Sequence, residues 1–150
     1  MARYTVAHTK AGVNTANTIM WQIRAASTDM IAIWEMGISV TVAPTTGPSW
    51  RLNRPTAIGT SSATVTPQIE SPPVASAAVA RLDTTWSANP TLAATDMRAY
   101  ATPNAIGSGI VWTWWDQPLW LAVSTGVALV NANAAGTTLG SFTVYVIFDE

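Results

Sequence analysis

The chain has 150 residues, a formal net charge of −1 and no cysteine; 49% of its residues are hydrophobic and only 10% are charged. These figures exclude a disulfide framework and a thiolate metal site, and they leave no basic footprint for nucleic acid or a membrane surface. The length predicts one domain spanning residues 1–150, burying roughly two-thirds of its extended surface on folding.

Residues 1–16 read as a candidate N-terminal arm that includes a first strand over residues 3–8 and a loop over 9–14. No apolar stretch follows Met1-Ala2-Arg3-Tyr4, so no export signal is expected. Residues 17–25 alternate, with Ile19, Trp21, Ile23 and Ala25 on one side, as a half-buried strand does. Residues 30–42 form the longest strand candidate, with Gly37 as an expected bulge or bend; a helix over residues 28–36 competes, but the alternation and the β-branched run after Gly37 favour a strand. Two Pro and a Gly break the chain at residues 43–48. An edge strand or crossing loop is expected at 50–54, and an edge strand interrupted by Pro67 at 63–69. The Ala-rich stretch 74–84 is predicted as a strand, with a short helix as the alternative. Loop or a helical turn follows at 86–96, then a strand at 97–101.

The stretch 107–130 organises the chain. It holds four of the eight Trp, its only formal charge is Asp116, and it reads as strands at 108–115, 118–123 and 127–131. A last strand is expected at 141–149. The longest apolar run, 119–130, is too short and too interrupted to span a membrane as a helix. About eight to ten short strands at this spacing predict an all-β antiparallel sandwich of jelly-roll type.

Several strands carry apolar groups on both faces. Ile110, Trp112 and Trp114 oppose Val111, Thr113 and Trp115; Phe142, Val144, Val146 and Phe148 oppose Thr143, Tyr145 and Ile147. A two-layer β domain normally leaves one face wet, so the second apolar face is expected to meet a neighbouring subunit. Trp112, Trp114, Tyr145 and Ile147 are the candidate contact residues. The scarcity of charge, against roughly 25% in ordinary globular chains, agrees with a Thr-rich exposed face plus a large oligomer contact.

Chemistry is sparsely provided for. His8 is the single histidine, which rules out a multi-histidine metal site and makes a Ser-His-Asp triad an unfavoured reading; a surface or subunit-contact role is expected instead. Nucleotide, protease and hydrolase motifs are missing. Of the eight carboxylates, Glu35 stands out, mid-strand between Trp34 and Met36, where it is expected to be a buried acid, to pair with Arg24 or Arg51, or to face water. The chain is read as non-enzymatic, with no catalytic residue, cofactor, metal or small-molecule substrate.

The closing segments run as an aromatic strand (IVWTWW), a Pro turn and apolar strand (DQPLWLAV), a Gly turn and strand (STGVALVN), and a Gly-preceded terminal strand (GSFTVYVIFDE). This order resembles the C-terminal half of jelly-roll virion proteins of tailed bacteriophages, particularly small capsid decoration or cement proteins. The resemblance covers about 45 residues and carries over no binding residues. It implies a homotrimer on the outside of the capsid, clamping adjacent major capsid proteins and assembled in the host cytoplasm. The alternative is a glycan-binding tail or fibre tip module that uses exposed Trp.

Overall fold

A computed structural model describes residues 1–71, 77–133 and 140–150. Among these residues the chain is all β, with twelve strands and no helix. They are β1 (Arg3–Ala11), β2 (Thr18–Arg24), β3 (Ile31–Val42), β4 (Ser49–Asn53), β5 (Thr60–Val65), β6 (Gln68–Ser71), β7 (Arg81–Ala88), β8 (Arg98–Ala101), β9 (Gly109–Thr113), β10 (Leu119–Leu121), β11 (Gly126–Asn131) and β12 (Ser141–Asp149). Two antiparallel six-stranded sheets pack as a sandwich. The front sheet runs β10–β3–β12–β1–β6, with β9 on the same edge of β3 as β10; the back sheet runs β5–β7–β2–β11–β4–β8. The pairings nest: β1 with β12, β2 with β11, β3 with β9 and β10, and β4 with β8, alternating between sheets. A ribbon of paired strands wound in this way is a jelly roll. β5, β6 and β7 form an insertion that widens both sheets at one edge.

Side-chain alternation builds the core. β12 alternates without a break, so Phe142, Val144, Val146 and Phe148 are buried while Thr143, Tyr145 and Ile147 lie half-exposed on the outside. Trp50 meets Phe142 edge-on with ring centroids 4.8 Å apart, and Tyr4 stacks on Phe148 at 5.7 Å. Such offset and edge-on contacts add to the area the rings bury. Two polar residues of β1 stitch the sheets together. His8 Nδ1 accepts a hydrogen bond from Trp21 Nε1 at 3.0 Å, and Lys10 Nζ donates to the Thr84 carbonyl at 2.6 Å. His8, half-buried, thus has a role within the chain, between the sheets.

The structure differs from expectation where tertiary context overrides local pattern. Residues 3–11 of the candidate arm form β1, paired on both edges by β12 and β6. The segment at 50–54 is an interior strand of the back sheet, between β11 and β8, and not an edge. The single strand expected at 63–69 is two. The chain leaves the back sheet at Val65 and enters the front sheet at Gln68, and Pro67, which has no N–H to give a ladder, stands at the crossing. Of the stretch 74–84, residues 74–76 lie outside the described residues, 77–80 are irregular and the strand is 81–88. Gly37 carries no bulge: its pairing with Tyr145 and Val111 is regular, and the register shifts of β3 fall where it meets Ser141/Phe142 and Ile147/Phe148.

The second apolar surface is partly accounted for within the chain. Segments 54–59 and 89–97 bond across the outer face of the back sheet. Gln22 Nε2 donates to the Ile58 carbonyl at 3.1 Å, and the Asn53 side chain binds Ala93 through both its oxygen and its amide. Trp86 and Leu92 pack there on Ile19, Ala128 and Val130. β11 is consequently buried on both sides without a partner chain.

Candidate functional site: the open face of the front sheet

Among the described residues, the outer face of the front sheet has no such cover from the chain. Cross-strand register places Val111, Gly37, Tyr145 and Ala7 in one row, and Gly109, Ser39, Thr143 and Thr9 in the next. These eight residues include no charge and form a strip, with the Thr9 and Thr143 hydroxyls 2.6 Å apart. Val111 is 53% exposed. On the other side of the Tyr145 row come Thr113, Glu35, Ile147 and Thr5.

That third row opens into a cleft of ≈ 340 Å³ lined by Arg3, Trp34, Glu35, Thr113, Trp114, Trp115 and Ile147. Each wall has a local cause. The register shift at Ile147/Phe148 leaves Trp34 without a partner on β12, and its Nε1 donates to Asp149 Oδ2 at 2.7 Å. Arg3 holds the same carboxylate through both its Nε, at 2.9 Å, and a terminal nitrogen, at 3.2 Å, and its guanidinium lies 5.7 Å from the Trp34 ring centre. Burial works against the ionised form of Asp149, but the hydrogen bonds from Arg3 and Trp34 outweigh it and hold the carboxyl below its ordinary range. Trp114 leaves β9 at the sheet edge, where Arg98 of the back sheet lies 4.8 Å from its ring centre. Trp115, next in the chain, stands 82% exposed.

Glu35 pairs with neither arginine expected of it. Arg24 binds the buried Asp83 at 2.9 Å, and Arg51 binds Asp96 at 3.1 Å. Instead Glu35 Oε1 accepts the Tyr145 hydroxyl at 2.5 Å. Partial burial, then the bond to this carboxylate, push the Tyr145 phenol up to about 12. The ring fits because residue 37 is glycine: a Cβ there would lie 2.2 Å from Tyr145 Cε1.

The four candidate contact residues divide. Tyr145 and Ile147 lie on the open face and Trp114 at its rim, whereas Trp112 points inward, is 4% exposed and belongs to the chain's own core. Odd-numbered residues of β9 face out and even-numbered ones face in, which the two-sided apolar sequence could not decide. Arg3 and Trp34 were not singled out by the sequence; they enter through pairing between residues more than a hundred positions apart. Among the described residues Glu35 is the only carboxylate lining the cleft, and no group of three or more His, Asp or Glu side chains could hold a metal ion. The arrangement can bind, by stacking, apolar contact and a few directed hydrogen bonds. No known protein family, curated protein or solved structure matches this chain, so its site is read from its own geometry.

Proposed function

We propose that this chain is a non-catalytic structural subunit that works in a self-associated assembly, of the kind that forms trimers on the outside of a tailed-phage head and braces neighbouring major capsid proteins. The observation that carries the reading is the asymmetry of the two sheets. The back sheet is covered by the chain's own loops, while the described residues of the front sheet present an uncharged strip that includes Val111 and Tyr145 and is bordered by Trp114 and Ile147. Depletion of charge and enrichment of aromatic groups distinguish the centre of a protein contact from ordinary surface. The jelly-roll winding agrees with the resemblance of the closing strands to decoration proteins, though a fold by itself does not determine function.

Sedimentation velocity tests this reading. The wild-type chain is expected to sediment as a trimer at micromolar concentration, and Val111→Glu, which sets a charge at the β9 end of the strip, as a monomer of unchanged circular dichroism. Trp114→Ala at the rim weakens association by about 2 kcal/mol, the lower range for a contact aromatic. A monomeric wild-type chain overturns the proposal.

The cleft favours a second reading, a glycan-binding tail or fibre tip module. An indole as exposed as Trp115 beside a carboxylate and two further Trp is the chemistry of a sugar platform, and these polar neighbours come from strands remote in sequence.

A further inference from the structure

We infer that the cleft at Trp34, Trp114 and Trp115 takes a neutral hexopyranose and discriminates against acidic sugars. This rests on the glycan-binding reading and assigns its ligand class. A pyranose has one face of C–H groups and a rim of hydroxyls. The first matches the negative face of an indole, and Trp115 offers one to solvent. The second needs directed acceptors and donors close to the platform, and Glu35 lines the same cleft. Its bond to Tyr145 occupies one of about four acceptor positions on the carboxylate, so acceptor capacity remains for sugar hydroxyls. The volume of ≈ 340 Å³ lies at the small end of the range of ligand sites, enough for about one or two rings.

Charge decides the class. An acidic sugar needs an available cation, ideally an arginine presenting two donors. Arg3 is the only cation lining the cleft among the described residues, and its guanidinium already holds both oxygens of Asp149, with Glu70 also acting on it electrostatically. Arg98 lies on the Trp114 ring. The carboxylates placed at the cleft are Glu35 in its lining and Asp149 and Glu70 beside Arg3, and Asp116 follows Trp115 in the chain. A carboxylated ligand would meet repulsion from Glu35 and would have to displace Asp149 to reach Arg3. A neutral sugar disturbs neither.

Tryptophan fluorescence and calorimetric titration of the intact chain test this, with lactose, cellobiose and mannobiose as neutral probes and sialyllactose and digalacturonate as acidic ones. At least one neutral disaccharide is expected to quench fluorescence with a Kd of about 1 mM or below, and sialyllactose is expected to bind more weakly than lactose. Trp115→Ala, at an exposed position that the fold does not need, weakens neutral binding by about tenfold or more with an unchanged melting temperature. Tight binding of acidic probes with neutral ones silent overturns the assigned class and leaves glycan binding standing. Silence of every probe overturns glycan binding itself. Neutral binding that is undiminished in Trp115→Ala places the site elsewhere and overturns the inference.

Discussion

Three side chains in the middle of the front sheet depend on one another more than on the sheet around them. The Tyr145 ring occupies the space a Cβ of residue 37 would fill, and its hydroxyl reaches Glu35 on the same strand, two residues away. A glycine inside a strand normally weakens it, and here a ring from the neighbouring strand covers the exposed backbone. The phenol of a folded chain that titrates at about 12, against 10 in the unfolded chain, favours its neutral form in the fold. Its contribution to stability is therefore complete below pH 10 and lost as pH rises from 10 through about 12. Ultraviolet titration at 295 nm is expected to resolve one phenol near pH 12 that disappears in Tyr145→Phe, a change costing about 1 kcal/mol at neutral pH. Gly37→Ala should cost about 1–3 kcal/mol by displacing the ring and return that phenol toward 10. Because both changes break the same bond, their costs should fall short of adding. A phenol that stays near 12 in Gly37→Ala would show that the ring does not need the glycine.

At the scale of elements, the loops over the back sheet act as part of its core. Asn53 on β4 is the anchor: its Nδ2 donates to the Ala93 carbonyl at 3.0 Å and to Asp96 Oδ1 at 2.9 Å, and its Oδ1 accepts from the Ala93 N–H at 2.9 Å. Asn53→Ala would remove the partners of the half-buried Ala93 groups, at about 1–2 kcal/mol, and would loosen segment 89–97 from Ile19, Ala128 and Val130. Amide hydrogen exchange should speed at Ala93 and across that segment, well ahead of β12; equal protection in variant and wild type would deny Asn53 the role. Such covers explain what the sequence could and could not disclose. Strand positions followed from alternation over 17–25 and 141–149, from the turn at Asp116-Gln117-Pro118 and from the break at 43–48, although β2 is buried on both faces and the register shift against β11 puts Ile19 on the outer face, away from Trp21 and Ile23. Pairing did not. Whether Trp50 stood at an edge, whether Pro67 bent one strand or divided two, and which face of β9 was buried all depend on register between distant segments. The apolar surplus on the strands was real, but sequence alone could not apportion it between the chain's own loops and another molecule. The cleft was half legible: Trp114 and Trp115 announce themselves by crowding, whereas Arg3 and Trp34 become its walls only once β1 and β12 pair.

Over the whole molecule, stability against pH sums three buried or paired groups that do not pull the same way. His8 is held below its ordinary 6.5, first by burial and then by the charge of Lys10, so the folded chain resists its protonation and loses stability as pH falls below 6.5. Asp149 is held below 3.8 despite its burial, by Arg3 and Trp34; its contribution is present above 3.8 and is lost as pH falls through its lowered value. Asp83 opposes them. Burial raises it above 3.8 against the bonds from Arg24, Ser61 and Gln22, so acid relieves a charge that the fold holds at a cost, and stability is regained as pH falls toward 3.8. Denaturation midpoints measured from pH 7 to pH 2 should separate the terms. Asp149→Asn should lose about 1 kcal/mol at neutral pH, a small figure because Arg3 is largely in water, and should show a shallower decline below pH 3.8. Asp83→Asn should steepen the decline between pH 6.5 and 3.8, because the opposing gain is removed while the His8 loss remains. If Asp83→Asn instead leaves that limb unchanged and flattens the decline below pH 3.8, the buried pair with Arg24 stabilises the ionised fold, and the balance drawn between burial and pairing on the back sheet has the wrong sign.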